Sequence, residues 1–206
     1  MTTSTLEMET SHGTALVRLH TVEQARGLLV LGHGAGGGLE APDLVAVAGT
    51  ANELGFVVAL VLQPYRVLGR KAPPRAPTLD TAWTDVVRTL RKDLAGLPLV
   101  AGGRSAGARV ACRTASATGA VGALCLAFPL RPPGRPDTPS RLPELDGAGV
   151  PVLVVQGARD PYGIPPPGPD RAVVTVDSDH SLRRDLPAVR AAVREWLRRL
   201  ADIGSR

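Results

Sequence analysis

A serine surrounded by small residues stands near the middle of the chain, within the sequence GRSAG at 103–107. An apolar run at 97–101 precedes this segment, and a helix-compatible run at 108–118 follows it. A serine at the apex of a tight turn between a strand and a helix exposes its hydroxyl, and only very small residues fit two positions before and after it. Ser105 is therefore a candidate nucleophile. The alternative is an ordinary glycine-rich turn, so catalytic partners elsewhere must decide between the two.

An acid and a base that could activate this serine follow it in the chain. Asp160 comes shortly after one apolar run, and His180, the only histidine C-terminal to Ser105, comes shortly after the next. A serine hydroxyl becomes nucleophilic when an imidazole accepts its proton and a carboxylate holds that imidazole in place. Taken singly, the aspartate fits a turn and the histidine fits a surface loop. Asp177 and Asp179 are rival acids, but their closeness to His180 in sequence makes them poorer candidates for a buried orienting carboxylate.

A second glycine-rich segment, GHGAGGG at 32–38, follows the apolar run at 27–31. Such a segment at the end of a strand lets backbone N–H groups point at a ligand. We expect the N–H groups of Ala35 and Ala106 to form an oxyanion hole, and His33 to orient this loop rather than act as a base. The alternatives are a flexible loop and a dinucleotide site. The dinucleotide site is disfavoured because no acidic residue closes the strand that follows.

Apolar runs that alternate with helical patterns must position these residues. Strands are predicted at 6–9, 15–20, 27–31, 56–62, 97–101, 121–128, 150–156 and 172–176. Helices are predicted at 43–54, 80–94, 108–118 and 186–201. This alternation predicts an α/β fold with a mostly parallel, twisted sheet, helices on both faces, and the loops of the site at its carboxyl edge.

Two proline-rich segments, 66–77 and 129–143, are predicted to be loops that roof the site. The second could instead be a proline-rich partner motif, but it leaves the end of a strand and is better placed to run over the sheet. Neither segment is long enough to form a separate lid domain. Trp83 belongs to the apolar face of the helix at 80–94 and is expected in the core.

The composition is that of a globular protein, and residues 1–206 are expected to form a single domain. The net charge is +5, but only Lys71 and Lys92 are lysines and aromatic residues make up 3%, which disfavours nucleic-acid binding. No apolar run approaches the roughly 18 residues of a membrane span, and the first ten residues lack the apolar stretch of a signal peptide. We therefore expect a cytoplasmic protein that binds no membrane, with Cys112 and Cys125 as free core thiols.

The chain resembles small α/β-hydrolases of the dienelactone-hydrolase-like group. The resemblance is carried by the motifs GHGAGG, GGRSxGxR, FPLxPPG, QGxRDPFG and DH, which match 32–37, 102–109, 128–134, 156–163 and 179–180. It implies an α/β-hydrolase fold with Ser105, Asp160 and His180 as the catalytic triad. Tyr162 stands where phenylalanine is usual, and Ala106 stands where methionine is common. Dienelactone hydrolases proper use a cysteine nucleophile, which the turn at 103–107 lacks, so their substrate is not expected here.

These observations favour a serine hydrolase that cleaves an ester or related acyl bond of a small molecule through an acyl-enzyme, without metal or cofactor. Residues expected to contact the substrate are His33, Gly34, Tyr65, Arg66, Arg104, Leu130, Arg131 and Tyr162. The three arginines in that set suggest an anionic substrate. One alternative is a non-catalytic binding module, since the wider family includes an animal chromatin-complex subunit. Another is acyl transfer to an acceptor other than water.

Overall fold

A single sheet of eight strands organises the chain, which the computed structural model describes over residues 2–203, with side chains over 2–200. The strands are β1 (Thr2–Thr10), β2 (Gly13–Thr21), β3 (Gly27–Gly32), β4 (Phe56–Leu62), β5 (Leu99–Arg104), β6 (Gly122–Leu126), β7 (Val152–Gly157) and β8 (Arg171–Val176). Their order in the sheet is β1-β2-β4-β3-β5-β6-β7-β8. β1 and β2 form an antiparallel hairpin that pairs antiparallel with β4, and all later pairs are parallel. The prediction of a mostly parallel sheet is confirmed.

Helices cover both faces of this sheet. They are α1 (Pro42–Glu53), α2 (Pro64–Val67), α3 (Ala76–Asp93), α4 (Ala106–Thr118), α5 (Leu142–Asp146) and α6 (Leu186–Ile203). Successive side chains of β3 point to opposite faces, as strand geometry requires. Leu29 and Leu31 pack in the cluster with α1 and α6, whereas Leu28 and Val30 pack in the cluster with α3 and α4. Trp83 belongs to the second cluster and is 1% exposed, so its predicted place in the core is confirmed.

Proline positions explain where the predicted helix boundaries were wrong. Helix α3 begins at Ala76 rather than at residue 80, and α2 and α5 each overlap by two residues a segment that was predicted to be a loop. Each of these helices has proline at its first or second position. Proline is tolerated there because the N–H group that it lacks has no partner within the helix.

The strand order brings the loops of interest to one edge. Gly32 at the end of β3 pairs with Gly103 on β5, so the glycine-rich segment starts beside the serine turn. Gly157 at the end of β7 pairs with Val176 at the end of β8, which places the loops of Asp160 and His180 side by side. The segment between β6 and β7 contains only the five-residue helix α5, so no lid domain formed by residues 2–203 covers this edge. Among residues 2–203, none of the helices combines the length and the apolar composition that a membrane crossing needs.

Candidate active site

The serine sits on a strained turn between β5 and α4. Ser105 has φ 52° and ψ −107°, a conformation that is costly for a residue with a side chain. A Cβ on Gly103 would lie 2.6 Å from the carbonyl oxygen of Gly32, and one on Gly107 would lie 2.3 Å from the same atom. Glycine is therefore required at both positions for the turn to approach β3, as the spacing of the GRSAG segment predicted.

The structure brings the predicted nucleophile, base and acid into one hydrogen-bonded chain. Oγ of Ser105 lies 3.0 Å from Nε2 of His180, and Nδ1 of His180 lies 2.8 Å from Oδ2 of Asp160. The side chain of Asp160 is fully buried, whereas the imidazole is 19% exposed. This is the geometry in which a buried carboxylate orients an imidazole that can accept a proton from a serine.

The two rival acids point elsewhere. Asp177 forms a short ion pair with Arg159, and Asp179 accepts hydrogen bonds from the backbone N–H and the hydroxyl of Ser181. Both aspartates are exposed. The carboxylate that orients His180 is therefore that of Asp160.

Two hydrogen-bond donors, a buried side-chain amide and a backbone N–H group, hold the carboxylate of Asp160 in place. The amide Nε2 of Gln156 donates to Oδ2 at 2.8 Å, and it also lies 3.1 Å from the carbonyl oxygen of Phe128 and 2.9 Å from that of Gly163. The backbone N–H of Tyr162 donates to Oδ1 at 2.9 Å. Sequence reasoning assigned no role to Gln156. The available signal was an amide at the end of an otherwise apolar buried strand, where its donor group needs a partner.

The segment at 33–38, called the oxyanion loop below after the role predicted for it, is held in place by side chains that donate hydrogen bonds to its carbonyl groups. His33 donates from Nδ1 to the oxygen of Gly34 at 2.7 Å, because its Nε2 accepts the backbone N–H of Gln63 at 3.1 Å. Tyr65 donates to the oxygen of Ala35 at 2.6 Å. In a trans peptide the N–H points away from the carbonyl group, so these two bonds set the directions of the N–H groups of residues 35 and 36.

Burial keeps both of these donors neutral. Desolvation lowers the pKa of His33, and the positive charge of Arg66 lowers it further, although the hydrogen bond to Gly34 acts in the opposite direction. Desolvation also raises the pKa of Tyr65 to about 12. A neutral imidazole with its proton on Nδ1 suits the orienting role that was predicted for His33 and excludes it as an imidazolium donor.

The remaining residues that were predicted to contact the substrate lie around the same edge. The ring of Tyr162 stacks on His180 with centroids 4.3 Å apart, and the backbone N–H of Arg131 donates to the carbonyl oxygen of Tyr162 at 2.9 Å. Leu130 is half-buried beside Gly163. The proline-rich segment that follows β6 therefore lies against the loop of Asp160, as expected.

The three arginines that suggested an anionic substrate all bond to the protein itself. Arg66 donates from Nε to the carbonyl oxygen of Gly37 at 2.9 Å, and Arg131 donates from Nε to that of Thr138 at 3.3 Å. Arg104 forms an ion pair with the buried carboxylate of Asp43. Their contacts give no support for an anionic substrate.

No group of three or more histidine, cysteine, aspartate or glutamate side chains is close enough to hold a metal ion within the part of the chain that the structure describes. The chemistry that this arrangement can perform is nucleophilic attack by Ser105 with proton transfer through His180.

Comparison with solved structures shows the same fold in several proteins. XC6422 from Xanthomonas campestris, described as an α/β serine hydrolase without a lid, is 20% identical, with 96% of this chain and 94% of that chain covered and a TM-score of 0.75. A dienelactone hydrolase from Anabaena variabilis is 17% identical over 96% and 97% of the two chains, with a TM-score of 0.77. Est1E from Butyrivibrio proteoclasticus is 16% identical over 96% and 99%, with a TM-score of 0.75.

A family comparison covers most of the sequence as well. No curated protein matches the chain. The model of the family described as "Alpha/beta hydrolase domain" matches residues 25–185, which include the serine turn, the oxyanion loop and both partner loops. The chain therefore belongs to the α/β-hydrolase domain family.

Proposed function

We propose that this protein is a serine hydrolase that cleaves an ester or related acyl bond of a small molecule. The observation that carries the proposal is the chain of contacts from Ser105 Oγ through His180 to the buried Asp160, at 3.0 and 2.8 Å. Such an arrangement of a strained serine, an imidazole and a buried carboxylate has a direct use in acyl transfer. A binding site has no need of it.

The first half of the reaction forms an acyl-enzyme. Nε2 of His180 accepts the hydroxyl proton while Oγ of Ser105 attacks the acyl carbon and the carbonyl π electrons move to oxygen. The backbone N–H groups of Ala106 and Ala35 stabilise the resulting oxyanion, and one such donor is typically worth about 3 kcal/mol of barrier. Collapse of the intermediate expels the alcohol or thiol, which takes the proton from His180.

The second half releases the acid. A water molecule gives a proton to His180 and attacks the acyl carbon, and Ser105 leaves after the proton returns to Oγ. Asp160 keeps Nδ1 of His180 protonated in both halves and stabilises the imidazolium. Tyr162 covers one face of the imidazole, which limits the directions from which water reaches it.

Covalent labelling tests the proposal directly. A fluorophosphonate probe should label the folded protein, and Ser105→Ala should abolish the labelling. Ser116→Ala is a matched control, since Ser116 lies on the same helix α4 but is exposed at its far end. An initial burst of p-nitrophenol from p-nitrophenyl acetate would report the acyl-enzyme. Failure of the folded wild-type protein to react with either reagent would overturn the proposal and favour a binding module.

A further inference from the structure

The guanidinium of Arg104, the residue before Ser105, lies between segments that carry the proposed machinery. Its Nη2 donates to the backbone carbonyl oxygen of His180 at 3.0 Å. Its Nη1 lies against the oxyanion loop, where a Cβ on Gly34 would approach it to 2.8 Å. Its Nε lies 3.0 Å from Oδ2 of Asp43, in the first turn of α1. One side chain thus bonds the serine turn to the histidine loop and packs beside the oxyanion loop.

The carboxylate of Asp43 holds the guanidinium of Arg104 in place. Its carboxylate is fully buried, and Oδ1 accepts the backbone N–H of Leu44 at 3.0 Å. Oδ2 meets Arg104 as a close ion pair rather than through an aligned hydrogen bond. Burial raises the pKa of Asp43, and the charge of Arg104 opposes that rise. A buried carboxylate needs such a partner, so each group holds the other in place.

We infer that Arg104 is a positioning residue, which holds the backbone of His180 and the oxyanion loop in register with Ser105, and that Asp43 fixes its guanidinium. This inference rests on the proposed function. Asp160 orients the imidazole ring, but the ring can meet Ser105 only if the main chain at residue 180 is also fixed. The bond from Arg104 supplies that restraint from the serine's own segment.

The inward contacts distinguish this role from substrate binding. All three guanidinium nitrogens of Arg104 face protein groups, and its side chain is 20% exposed. Loss of the side chain should therefore impair the reacting geometry and leave substrate affinity nearly unchanged. Misplacement of catalytic groups by about 1 Å can cost up to 100-fold in rate.

The test uses steady-state hydrolysis of p-nitrophenyl acetate together with thermal unfolding. Arg104→Met should lower kcat about 10- to 100-fold and leave KM within about twofold. This variant also leaves the Asp43 charge buried without a partner, which lowers its stability. The double variant Asp43→Asn with Arg104→Met removes that charge. It should regain most of the lost Tm and little of the lost kcat. Arg104→Lys, which keeps the charge but not the forked donors, should keep Tm and recover only part of kcat.

Arg109→Met is the matched control. Arg109 lies on α4, the helix that follows the serine turn, and donates to both carboxylate oxygens of Glu144, at 2.8 and 2.6 Å, with a side chain that is 27% exposed. The Arg109→Met variant should have a lower Tm and an unchanged kcat. Equal losses of kcat in the Arg104 and Arg109 variants, or recovery of kcat with Tm in the double variant, would overturn the inference. A rise in KM alone would also overturn it. Absence of turnover and labelling in the wild type would instead overturn the proposed function.

Discussion

Replacing Gln156 by glutamate should make the stability of this protein, measured relative to wild type, fall with rising pH. The substitution keeps the shape of the side chain but exchanges a donor for a carboxylate at a fully buried position. The new carboxylate would lie about where Nε2 of Gln156 now contacts Asp160 Oδ2, at 2.8 Å, with the carbonyl oxygens of Phe128 and Gly163 at 3.1 and 2.9 Å. All of these neighbours are acceptors.

The cost of ionising both carboxylates follows from the distance between them. At 2.8 Å and an effective dielectric constant of about 20, two unit negative charges repel by about 6 kcal/mol. The folded protein avoids this energy by keeping one proton on the pair, so the pKa of the introduced glutamate lies well above its ordinary value.

The sign of the pH dependence follows from proton counting. Below the ordinary pKa of glutamate, the folded and the unfolded chain both hold the extra proton, so that proton costs nothing. Above about pH 5 the unfolded chain releases it and the folded chain does not. The stability gap between wild type and the Gln156→Glu variant should therefore widen by about 1.4 kcal/mol per pH unit, until the folded pair ionises.

Urea unfolding of both proteins between pH 5 and pH 8 measures this gap. Gln156→Met is the control, because it removes the same donor without adding a titratable group, and its gap should stay constant with pH. The kcat/KM of the Gln156→Met variant should fall roughly 10- to 100-fold, since a hydrogen bond to a charged group is worth about 1.5–3 kcal/mol. A gap for Gln156→Glu that does not change with pH would refute the placement of residue 156 against the carboxyl group of Asp160.

Two further predictions concern the oxyanion loop and the serine turn. Tyr65→Phe removes the donor to the carbonyl oxygen of Ala35 and so frees the peptide group between residues 35 and 36, next to the proposed donor N–H of Ala35. Steady-state kinetics should show kcat lowered about tenfold with KM little changed; an unchanged kcat would contradict the orienting role. Gly107→Ala would force a Cβ to 2.3 Å from the oxygen of Gly32, and it should abolish fluorophosphonate labelling and lower Tm. Its control is Gly49→Ala on α1, where no atom lies within 4 Å of the added Cβ and the gain should be about 0.5–1 kcal/mol; equal effects of the two substitutions would contradict the steric argument.

The sheet and the meeting of the distant side chains were predictable because they depend on patterns that the chain carries locally. Apolar runs predicted every strand that is buried on both faces, and β4 at 56–62 agrees in both bounds. Parallel pairing then brings the ends of β5, β7 and β8 to one edge, whatever the details of the loops. The order of Ser105, Asp160 and His180 after those strands was enough to predict that the three side chains would lie close together.

The partners of buried polar groups were not predictable in the same way. Arg104 was expected to contact the substrate, whereas its guanidinium donates to the carbonyl oxygen of His180 and pairs with Asp43. The partner of its guanidinium, Asp43, lies on α1, far from Arg104 in the sequence. Gln156 bonds to groups in two different loops, whose approach depends on tertiary packing. Asp43 and Arg104, like Phe128 and Gln156, are far apart in sequence, and no local periodicity encodes such pairs.

The oxyanion loop shows how these unpredicted contacts contribute to the proposed chemistry. A glycine-rich segment without supports would sample many directions for its N–H groups, and ordering them in the transition state would raise the barrier. Here the carbonyl groups of residues 34, 35 and 37 are bound by His33, Tyr65 and Arg66. The opposite ends of those peptide groups are therefore oriented before any substrate arrives. Side chains that the sequence offered as substrate contacts would thus act on the rate through the backbone that they hold, and their variants should change kcat more than KM.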